Sequence, residues 1–201
     1  IYLMNQNISY CFAEPVIIYK NLKIDNNLLL KELETINLFV KIDKQQDSKY
    51  FYILDKISSG EKIKKIFNNC FKDAFDKLGY STNFKIYTSW VTQTKPKTSG
   101  GDFHVHSNFW YSGVYYPKIT NKLFITFKRP LEYIIQPHIK NYNMFNSLTM
   151  DYEIKEHCFI IFPSYLKHTI GFNSSNEDRI SIAVNVNPVG YVGSNDSEFK
   201  Y

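Results

Sequence analysis

The part of the chain after Gly79 contains a run of short segments rich in β-branched and aromatic residues, and this pattern constrains the fold most. Clusters of Pro, Gly, Asn and Ser separate the segments and favour turns between them. The predicted strands are residues 83–95, 110–116, 122–128, 157–163 and 179–188. Many short strands with such separators predict an antiparallel sandwich or barrel.

Two helices are predicted before this run. Residues 24–39 and 60–78 both carry apolar residues at helical spacing. Ser58 and Glu61 fit a capping box at the start of the longer helix, and Gly79 ends it. Helices followed by many short strands predict an α+β fold, in which the helices pack against the antiparallel strands.

The remaining segments complete a single-domain organisation over residues 1–201. A short strand is predicted at 15–20, an exposed loop at 40–57 and a frayed tail at the C-terminus. The predicted division is helical support at about 15–80, a β core at about 84–188 and a tail at 189–201.

Composition excludes several classes of protein. Hydrophobic residues make up 44% of the chain and aromatic residues 17%, which is typical of a globular protein. The net charge of +5 comes from dispersed lysines, and no nucleic-acid-binding motif accompanies it. The three cysteines form no C-x-x-C pair, which suits a reducing compartment. No stretch is long and apolar enough to span a bilayer, so a cytoplasmic location is expected.

His104 and His106 are the first candidate functional residues. On a strand, positions i and i+2 face the same side, so both imidazoles are expected to project together. That arrangement suits two ligands of one metal, but it also suits two polar residues at the rim of a strand. Asp102 alternates in phase with both, and so it is a candidate to replace one of them or to support them.

The segment from His168 to Asn185 supplies the second group. Arg179 and Ser181 are predicted to share one face of a strand whose other face is apolar. A buried guanidinium needs a carboxylate partner, and none lies on this strand. The alternative is an edge strand with Arg179 in solvent or paired to Glu177 or Asp178.

Taken in order, these motifs resemble the Fe(II)/2-oxoglutarate-dependent oxygenases. The closest resemblance is to a prolyl-hydroxylase-like group recognised by sequence, many of whose members come from bacteria and phages. The resemblance covers about residues 84–188. The matching positions are Trp90, His104-Val105-His106, Ser112-Gly113-Val114-Tyr115-Tyr116, Phe162-Pro163, His168, Arg179-Ile180-Ser181 and Asn185.

The resemblance implies a double-stranded β-helix, a jelly-roll or cupin-like fold, braced by the N-terminal helices. It also implies a non-haem Fe(II) site formed by His104, His106 and His168. His106 stands where most members of the wider class carry Asp or Glu. Asp102 therefore remains an alternative ligand, or a residue that supports the ligands together with Asn185.

The same resemblance implies 2-oxoglutarate as cosubstrate. Its far carboxylate is expected to meet Arg179, with Ser181 adding a hydroxyl donor. Tyr116 and, less directly, Thr94 are expected to add hydrogen bonds. The implied reaction hydroxylates an unidentified substrate, a protein side chain or a small molecule, and releases succinate and CO2. A phage-encoded member would act in the host cytoplasm.

Two other functions remain open from the sequence. A cupin-type dioxygenase would use three histidines without 2-oxoglutarate, but its first motif normally adds a Glu that "SNFWYSG" lacks. A β-helix that binds a partner without catalysis is the third reading. The sequence indicates neither a membrane nor a nucleic acid as partner, and it leaves the substrate and the oligomeric state open.

Overall fold

The computed structural model describes residues 12–40, 45–119, 121–130, 135 and 137–200. It has two α-helices, α1 (Asn26–Leu33) and α2 (Gly60–Lys77), and a 3₁₀ turn at Ile53–Asp55. The strands are β1 (Ile17–Tyr19), β2 (Leu38–Val40), β3 (Gln45–Ser48), β4 (Phe84–Thr94), β5 (Tyr111–Lys118), β6 (Leu123–Lys128), β7 (Thr149–Ile154), β8 (Phe159–Pro163), β9 (His168–Ile170), β10 (Arg179–Pro188), β11 (Tyr191–Val192) and β12 (Phe199–Lys200).

The strands form two antiparallel sheets and a small hairpin. The large sheet has the order β1-β8-β5-β10-β4-β3-β2, and the small sheet has the order β7-β6-β9. Every pairing between named strands in the described residues is antiparallel. The described residues form many strands and few helices in a jelly-roll-like arrangement, and this confirms the predicted α+β class.

The central strands of the large sheet are buried on both faces. Alternate residues of β5, β8 and β10 enter two different cores, because successive side chains of a strand point to opposite sides. Tyr115, Phe159 and Ile182 pack with the helices in one core. Val114 and Phe162 pack with strand β6 of the small sheet in the other. These strands therefore read as continuous apolar runs in the sequence.

Helix α2 packs on the large sheet through aromatic rings. Phe67 stacks on Phe159 with ring centroids 4.2 Å apart, and Phe71 meets the same ring edge-on at 5.6 Å. Each phenylalanine buried this way contributes about 1.5–3 kcal/mol. Gly113 lies directly beneath, where a Cβ would come within 2.4 Å of Phe159 Cζ.

We therefore expect Gly113→Ala to destabilise the protein by about 1–3 kcal/mol, because the added methyl group overpacks this contact. Gly171→Ala is the matched control, since its nearest neighbour would lie at 3.4 Å, an ordinary contact. The measurement is the free energy of unfolding in urea. Equal stability of both variants would contradict the close packing of α2 on β5.

The N-terminal segments differ from the sequence prediction. The predicted helix at 24–39 ends at Leu33, and the chain turns into strand β2. The predicted exposed loop at 40–57 contains strand β3 and the 3₁₀ turn, and Ile53 is fully buried there. Pairing with β4 in the tertiary fold overrides the local polar composition of β3. Residues 41–44 of that loop lie outside the described residues.

The predicted capping box of α2 is also wrong. Ser59 precedes the helix and makes no side-chain cap. Ser58 and Ser59 instead donate hydrogen bonds from their hydroxyl groups to the Glu32 carboxylate. The Glu32 carboxylate accepts from the Ser59 backbone N–H as well, at 3.2 Å. Desolvation raises the pKa of this carboxyl, but the hydrogen bonds from Ser58 and Ser59 together outweigh it and hold the pKa below the usual range. This contact joins the end of α1 to the start of α2.

The C-terminal segment forms a hairpin where a frayed tail was predicted. Strands β11 and β12 pair in antiparallel fashion around a 3₁₀ turn at Asn195–Ser197. The single-domain division of the chain stays a prediction. Across the described residues, no helix combines the length and apolar character that a bilayer crossing requires.

Candidate metal centre and cavity

A cavity of about 760 Å³ is lined by every candidate functional residue except Arg179, whose guanidinium donates to the lining residue Thr94. Its walls come from β3, β4, β5 and β10 of the large sheet, from β6 and β9 of the small sheet, and from residues 100–109. Its volume falls in the range of small-molecule binding sites.

His104, His106 and His168 meet on the wall of this cavity. Their potential ligand atoms all lie within 4.8 Å of one another. His168 is the first residue of β9. Its backbone N–H donates to the His104 carbonyl, and the His104 N–H donates to the His168 carbonyl, both at 2.9 Å. His106 N–H donates to the Ser164 carbonyl, also at 2.9 Å. The H-x-H segment is thus held by isolated bonds and does not lie on the regular strand that was predicted.

Hydrogen bonds at Nδ1 set the tautomer of the three imidazoles. The Nδ1 atoms of His104 and His168 lie 2.9 Å from the carbonyl oxygens of Asp102 and Leu166. A carbonyl oxygen only accepts, so each Nδ1 carries the hydrogen and each Nε2 keeps its lone pair. This is how metal-binding histidines are usually oriented.

His106 is oriented by a polar network. Its Nδ1 lies 2.7 Å from Asn185 Oδ1, which also accepts a 2.8 Å bond from the Ser112 hydroxyl. Asn185 Nδ2 donates to Thr88 Oγ1 at 3.0 Å, which fixes the amide orientation. Ser112 and Ser164 share a 2.7 Å hydrogen bond behind this pair. Asn185 was predicted from the sequence as a residue that supports the ligands. Thr88 and Ser164 were not predicted, because their hydrogen bonds in this network depend on tertiary contacts.

Burial keeps His168 neutral. The residue is 4% exposed, and desolvation, together with the neighbouring His104 and His106, lowers its pKa to about 3. Rings of Phe162 and Phe127 lie against it, with centroids at 4.5 and 5.8 Å. An unprotonated imidazole is the form that binds a metal ion.

The depressed pKa of His168 predicts a pH dependence of the metal-free protein. The unfolded chain takes up this proton near pH 6.5 and the folded chain only near pH 3. The stabilisation is therefore present above pH 6.5 and is lost as pH falls toward 3. Between pH 6 and 4 we expect the free energy of unfolding to fall by about 1.4 kcal/mol per pH unit more than in His168→Gln.

The exposed His138 provides the matched control, because His138→Gln removes an imidazole that faces solvent. This variant should follow the wild-type curve in urea unfolding measured at each pH. Parallel curves for wild type and His168→Gln would contradict a buried, neutral His168.

Arg179 lies buried beside the same cavity. It is 3% exposed, and its guanidinium donates to the Gly171 carbonyl at 2.8 Å and to Thr94 Oγ1 at 3.2 Å. Among the described residues, no carboxylate forms an ion pair with it. Desolvation lowers its pKa to about 10. The reading of Arg179 as a solvent-exposed edge residue is therefore wrong.

Three cavity-lining residues surround this guanidinium. Thr94 Oγ1 accepts a hydrogen bond from the Arg179 guanidinium, and a Cβ added to Gly100 would lie 2.8 Å from Arg179 Nη2. Tyr116 is 2% exposed, and burial raises the pKa of its hydroxyl far above the usual value. The nearby charge of Arg179 acts in the opposite direction. Ser181, on the same face of β10, also lines the cavity, as the alternation predicted.

A buried turn joins the Arg179 strand to the rest of the site. Asn173 is 4% exposed, and its amide donates to the carbonyl oxygens of Thr94, Lys95 and Glu177. Its backbone bridges Thr98, at the start of the segment that leads to His104. Nothing in the sequence distinguished Asn173 from other residues of the polar turn.

Asp102 does not belong to the group of potential ligand atoms formed by the histidines. Its side chain is exposed, and its backbone carbonyl accepts the hydrogen bond from His104 Nδ1. The structure therefore brings His104, His106 and His168 together on the wall of one cavity. Thr94, Tyr116 and Ser181 line the same cavity, and Arg179 lies behind Thr94, to which it donates a hydrogen bond.

The fold and these side chains are those of a jelly-roll-like protein in which three histidines are placed to hold one metal ion. HygX from Streptomyces hygroscopicus, crystallised with nickel, 2-oxoglutarate and hygromycin B, is similar to the chain with a TM-score of 0.62 at 7% identity, over 90% of this chain and 86% of that one. A Pseudomonas putida prolyl-4-hydroxylase gives a TM-score of 0.57 at 11% identity, over 86% and 92%. At these identities the similarity shows the fold alone.

The sequence of the β core indicates a family. Residues 88–185 match the family model described as "Putative 2OG-Fe(II) oxygenase". The match covers just under half of the chain, and the β core over residues 88–185 is similar to this family. The protein is an oxidoreductase with Fe(II) and 2-oxoglutarate as its cofactors. Comparison with curated protein sequences finds no match.

Proposed function

We propose that this protein is an Fe(II)- and 2-oxoglutarate-dependent dioxygenase that hydroxylates a C–H bond of its substrate. One observation carries the proposal. Three imidazoles with their Nδ1 atoms already engaged line a cavity. Beside it lies a buried guanidinium that bonds the cavity-lining Thr94 and forms no ion pair with a carboxylate of the described residues. The first group suits a metal ion, and the second suits an anionic cosubstrate.

The two sheets are, in this proposal, the two halves of a double-stranded β-helix, and α1 and α2 brace the larger one. The stacking of Phe67 on Phe159 supports the brace. A rigid large sheet would hold Asn185, and through it His106, in a constant position.

The donor set fits Fe(II). Imidazole nitrogen is a common ligand of non-haem iron, and three protein ligands leave positions open for a cosubstrate. His106 takes the place of the carboxylate in the usual triad, so the protein contributes no negative charge to the metal. We assign the third ligand to His106, because Asn185 orients it, and we assign to Asp102 only the support of His104.

Fe(II) with 2-oxoglutarate supplies, when bound, the oxidation of a C–H bond by dioxygen, coupled to the conversion of 2-oxoglutarate into succinate and CO2. The residues of the chain bind and orient. Arg179 holds the far carboxylate of the cosubstrate, and Thr94 holds Arg179. The hydroxyl groups of Tyr116 and Ser181 donate to the same carboxylate. Phe127 and Phe162 shield His168 from water.

The substrate in this proposal is a protein side chain or a small molecule. The cavity of about 760 Å³ leaves room for a second small group beside the cosubstrate. The proposal includes neither a membrane nor a nucleic acid as partner.

The test is anaerobic addition of Fe(II) and then 2-oxoglutarate to the metal-free protein, followed by visible absorption. We expect the weak charge-transfer band of an iron-bound 2-oxo acid in the wild type and in His138→Ala. His104→Ala and His106→Ala should lose it. His138 is exposed and provides the matched control.

Each other outcome identifies a different function. Iron binding without the band contradicts the use of 2-oxoglutarate and favours a cupin-type three-histidine dioxygenase. Absence of both iron binding and the band contradicts catalysis and favours a β-helix that only binds a partner. A band retained in His106→Ala contradicts His106 as a ligand.

A further inference from the structure

The cavity wall beside the metal centre is where the substrate must lie, because the C–H bond to be oxidised has to come close to the metal. Trp90 is the lining residue of β4 at this point, and its ring centroid lies 5.3 Å from that of His106. Thr94, which bonds Arg179, lies four residues further along β4, roughly 13 Å away at the usual rise of a strand. Trp90 therefore marks the metal end of the cavity, away from the end proposed to hold the far carboxylate of the cosubstrate.

Phe51 lies next to Trp90, in the segment that follows β3. Its carbonyl accepts a 2.9 Å hydrogen bond from the N–H of Ser89, the residue before Trp90. Phe51 lines the cavity and is 47% exposed. A half-exposed aromatic residue on a concave wall provides apolar surface that a ligand can bury.

The segment that carries the H-x-H pair contributes two more apolar residues to the lining. Val105 stands between the two histidines and is 41% exposed, and Phe109 follows a few residues later. The metal end of the cavity is thus lined by apolar side chains from three separate segments of the chain, which only the tertiary fold brings together.

The buried polar side chains of β4 and β10 at this end are already bonded within the protein. Asn185 bonds His106 through Oδ1 and Thr88 through Nδ2, and Thr92 donates its hydroxyl hydrogen to Asp47. A substrate group rich in hydroxyls or amides would have to compete with these bonds, and breaking them leaves buried polar atoms unsatisfied. An apolar group has only to displace water from apolar surface, which is favourable.

We propose that the substrate presents an apolar group, a ring of about the size of a phenyl group, to the metal centre, and that Phe51 determines specificity by packing against it. The inference rests on the proposed function, in that the cavity is taken as the site where the substrate is oxidised. Three of the four apolar lining residues are aromatic, and aromatic rings favour another ring because offset and edge-on contacts add to the burial of area.

The test compares benzyl alcohol with methyl glucoside, a ring of similar size that is covered with hydroxyl groups. Both are titrated anaerobically into the protein loaded with Fe(II) and 2-oxoglutarate, and binding is measured from the relaxation of the probe protons, which Fe(II) accelerates only near the metal. We expect benzyl alcohol to have the lower Kd by about tenfold or more, since burial of a phenyl group supplies at least the roughly 1.4 kcal/mol that tenfold requires.

Phe51→Ala should raise the Kd of benzyl alcohol by about 5- to 10-fold, because the variant removes apolar surface that the probe buries. Phe51→Leu keeps an apolar side chain and should raise it by less than about threefold. Neither variant should change the Kd of methyl glucoside by more than about twofold. Phe172→Ala is the matched control, since Phe172 is 56% exposed and does not line the cavity. It should leave both values unchanged.

Val105→Thr tests the apolar character of the wall without a change of size, because a hydroxyl replaces one methyl group. It should raise the Kd of benzyl alcohol by about two- to fivefold, since the hydroxyl loses water when the probe binds. This variant answers the question if Phe51→Ala does not fold.

A third probe separates the two sources of the ring. N-acetylphenylalanine amide carries the phenyl group on a peptide backbone. A Kd below that of benzyl alcohol supports the apolar site and assigns the ring to a protein side chain. A Kd above it, with the preference for benzyl alcohol over methyl glucoside retained, supports the apolar site and assigns the ring to a small molecule.

Equal binding of benzyl alcohol and methyl glucoside to the wild type, or an unchanged Kd for benzyl alcohol in a folded Phe51→Ala or Val105→Thr, would overturn the inference. The two proposals fail separately. Absence of the iron–2-oxoglutarate band contradicts the proposed function, and the same titrations of the metal-free protein, followed by chemical-shift changes, then decide on the apolar site. A band without a preference for benzyl alcohol contradicts only the role of Phe51.

Discussion

Replacement of Arg179 by Met should abolish cosubstrate binding without unfolding the protein. We expect the Kd for 2-oxoglutarate to rise by about 100-fold or more, because two or more charge-assisted hydrogen bonds to one carboxylate are lost. The free energy of unfolding of the metal-free protein should change by less than about 2 kcal/mol. Arg179 is buried without a carboxylate in the described residues, so Met removes a desolvation cost along with the bonds to Gly171 and Thr94.

The two measurements are titration of 2-oxoglutarate into the Fe(II)-loaded protein and urea unfolding of the metal-free protein. Arg129→Met is the matched control, since the Arg129 guanidinium donates to the carbonyl oxygens of Ser147 and Met144 and does not line the cavity. It should leave 2-oxoglutarate affinity unchanged. An Arg179→Met variant that binds 2-oxoglutarate like the wild type would contradict the assigned role.

Replacement of His168 by Ala should remove Fe(II) binding. We expect the affinity to fall by more than about 100-fold, since one of three proposed ligands is lost. Asn185→Ala keeps all three imidazoles and removes only the partner of His106 Nδ1. Loss of such a supporting hydrogen bond typically costs about 10- to 100-fold in metal affinity, so this variant should fall between His168→Ala and the wild type.

Anaerobic Fe(II) titration measures both effects, and circular dichroism checks that each variant is folded. The order of affinities is the result that matters. If His168→Ala retains wild-type affinity, the histidine cluster does not bind the iron. If Asn185→Ala loses as much as His168→Ala, Asn185 does more than orient His106.

The strands of the β core were predictable because their signal is local. The β-branched and aromatic runs predicted β4, β5, β6, β8 and β10 within a few residues of their observed bounds. The alternation along β10 placed Arg179, Ser181 and Asn185 on one face, and Ser181 and Asn185 line the cavity. A period of two residues is a property of the strand itself, so it can be read without knowing its neighbours.

The N-terminal region shows where local signals fail. The apolar spacing that predicts a helix continues to Ile36, yet α1 ends at Leu33 and the chain enters β2. The polar sequence "QQDS" gives no strand signal, yet it forms β3 against β4. Long-range backbone pairing determines the secondary structure of both segments. Local helix or strand propensity is a weak guide when such pairing is available.

The sequence by itself determined the order of the motifs, the residue types of the site and the family to which they point, because these depend on which side chains are present and at what spacing. Only the tertiary structure decided how those side chains are held. His106 and Asn185 are 79 residues apart and meet through an Oδ1–Nδ1 contact of 2.7 Å. Asp47 enters the cavity through the pairing of β3 with β4. Contacts of this kind depend on packing between distant segments, which no local pattern records.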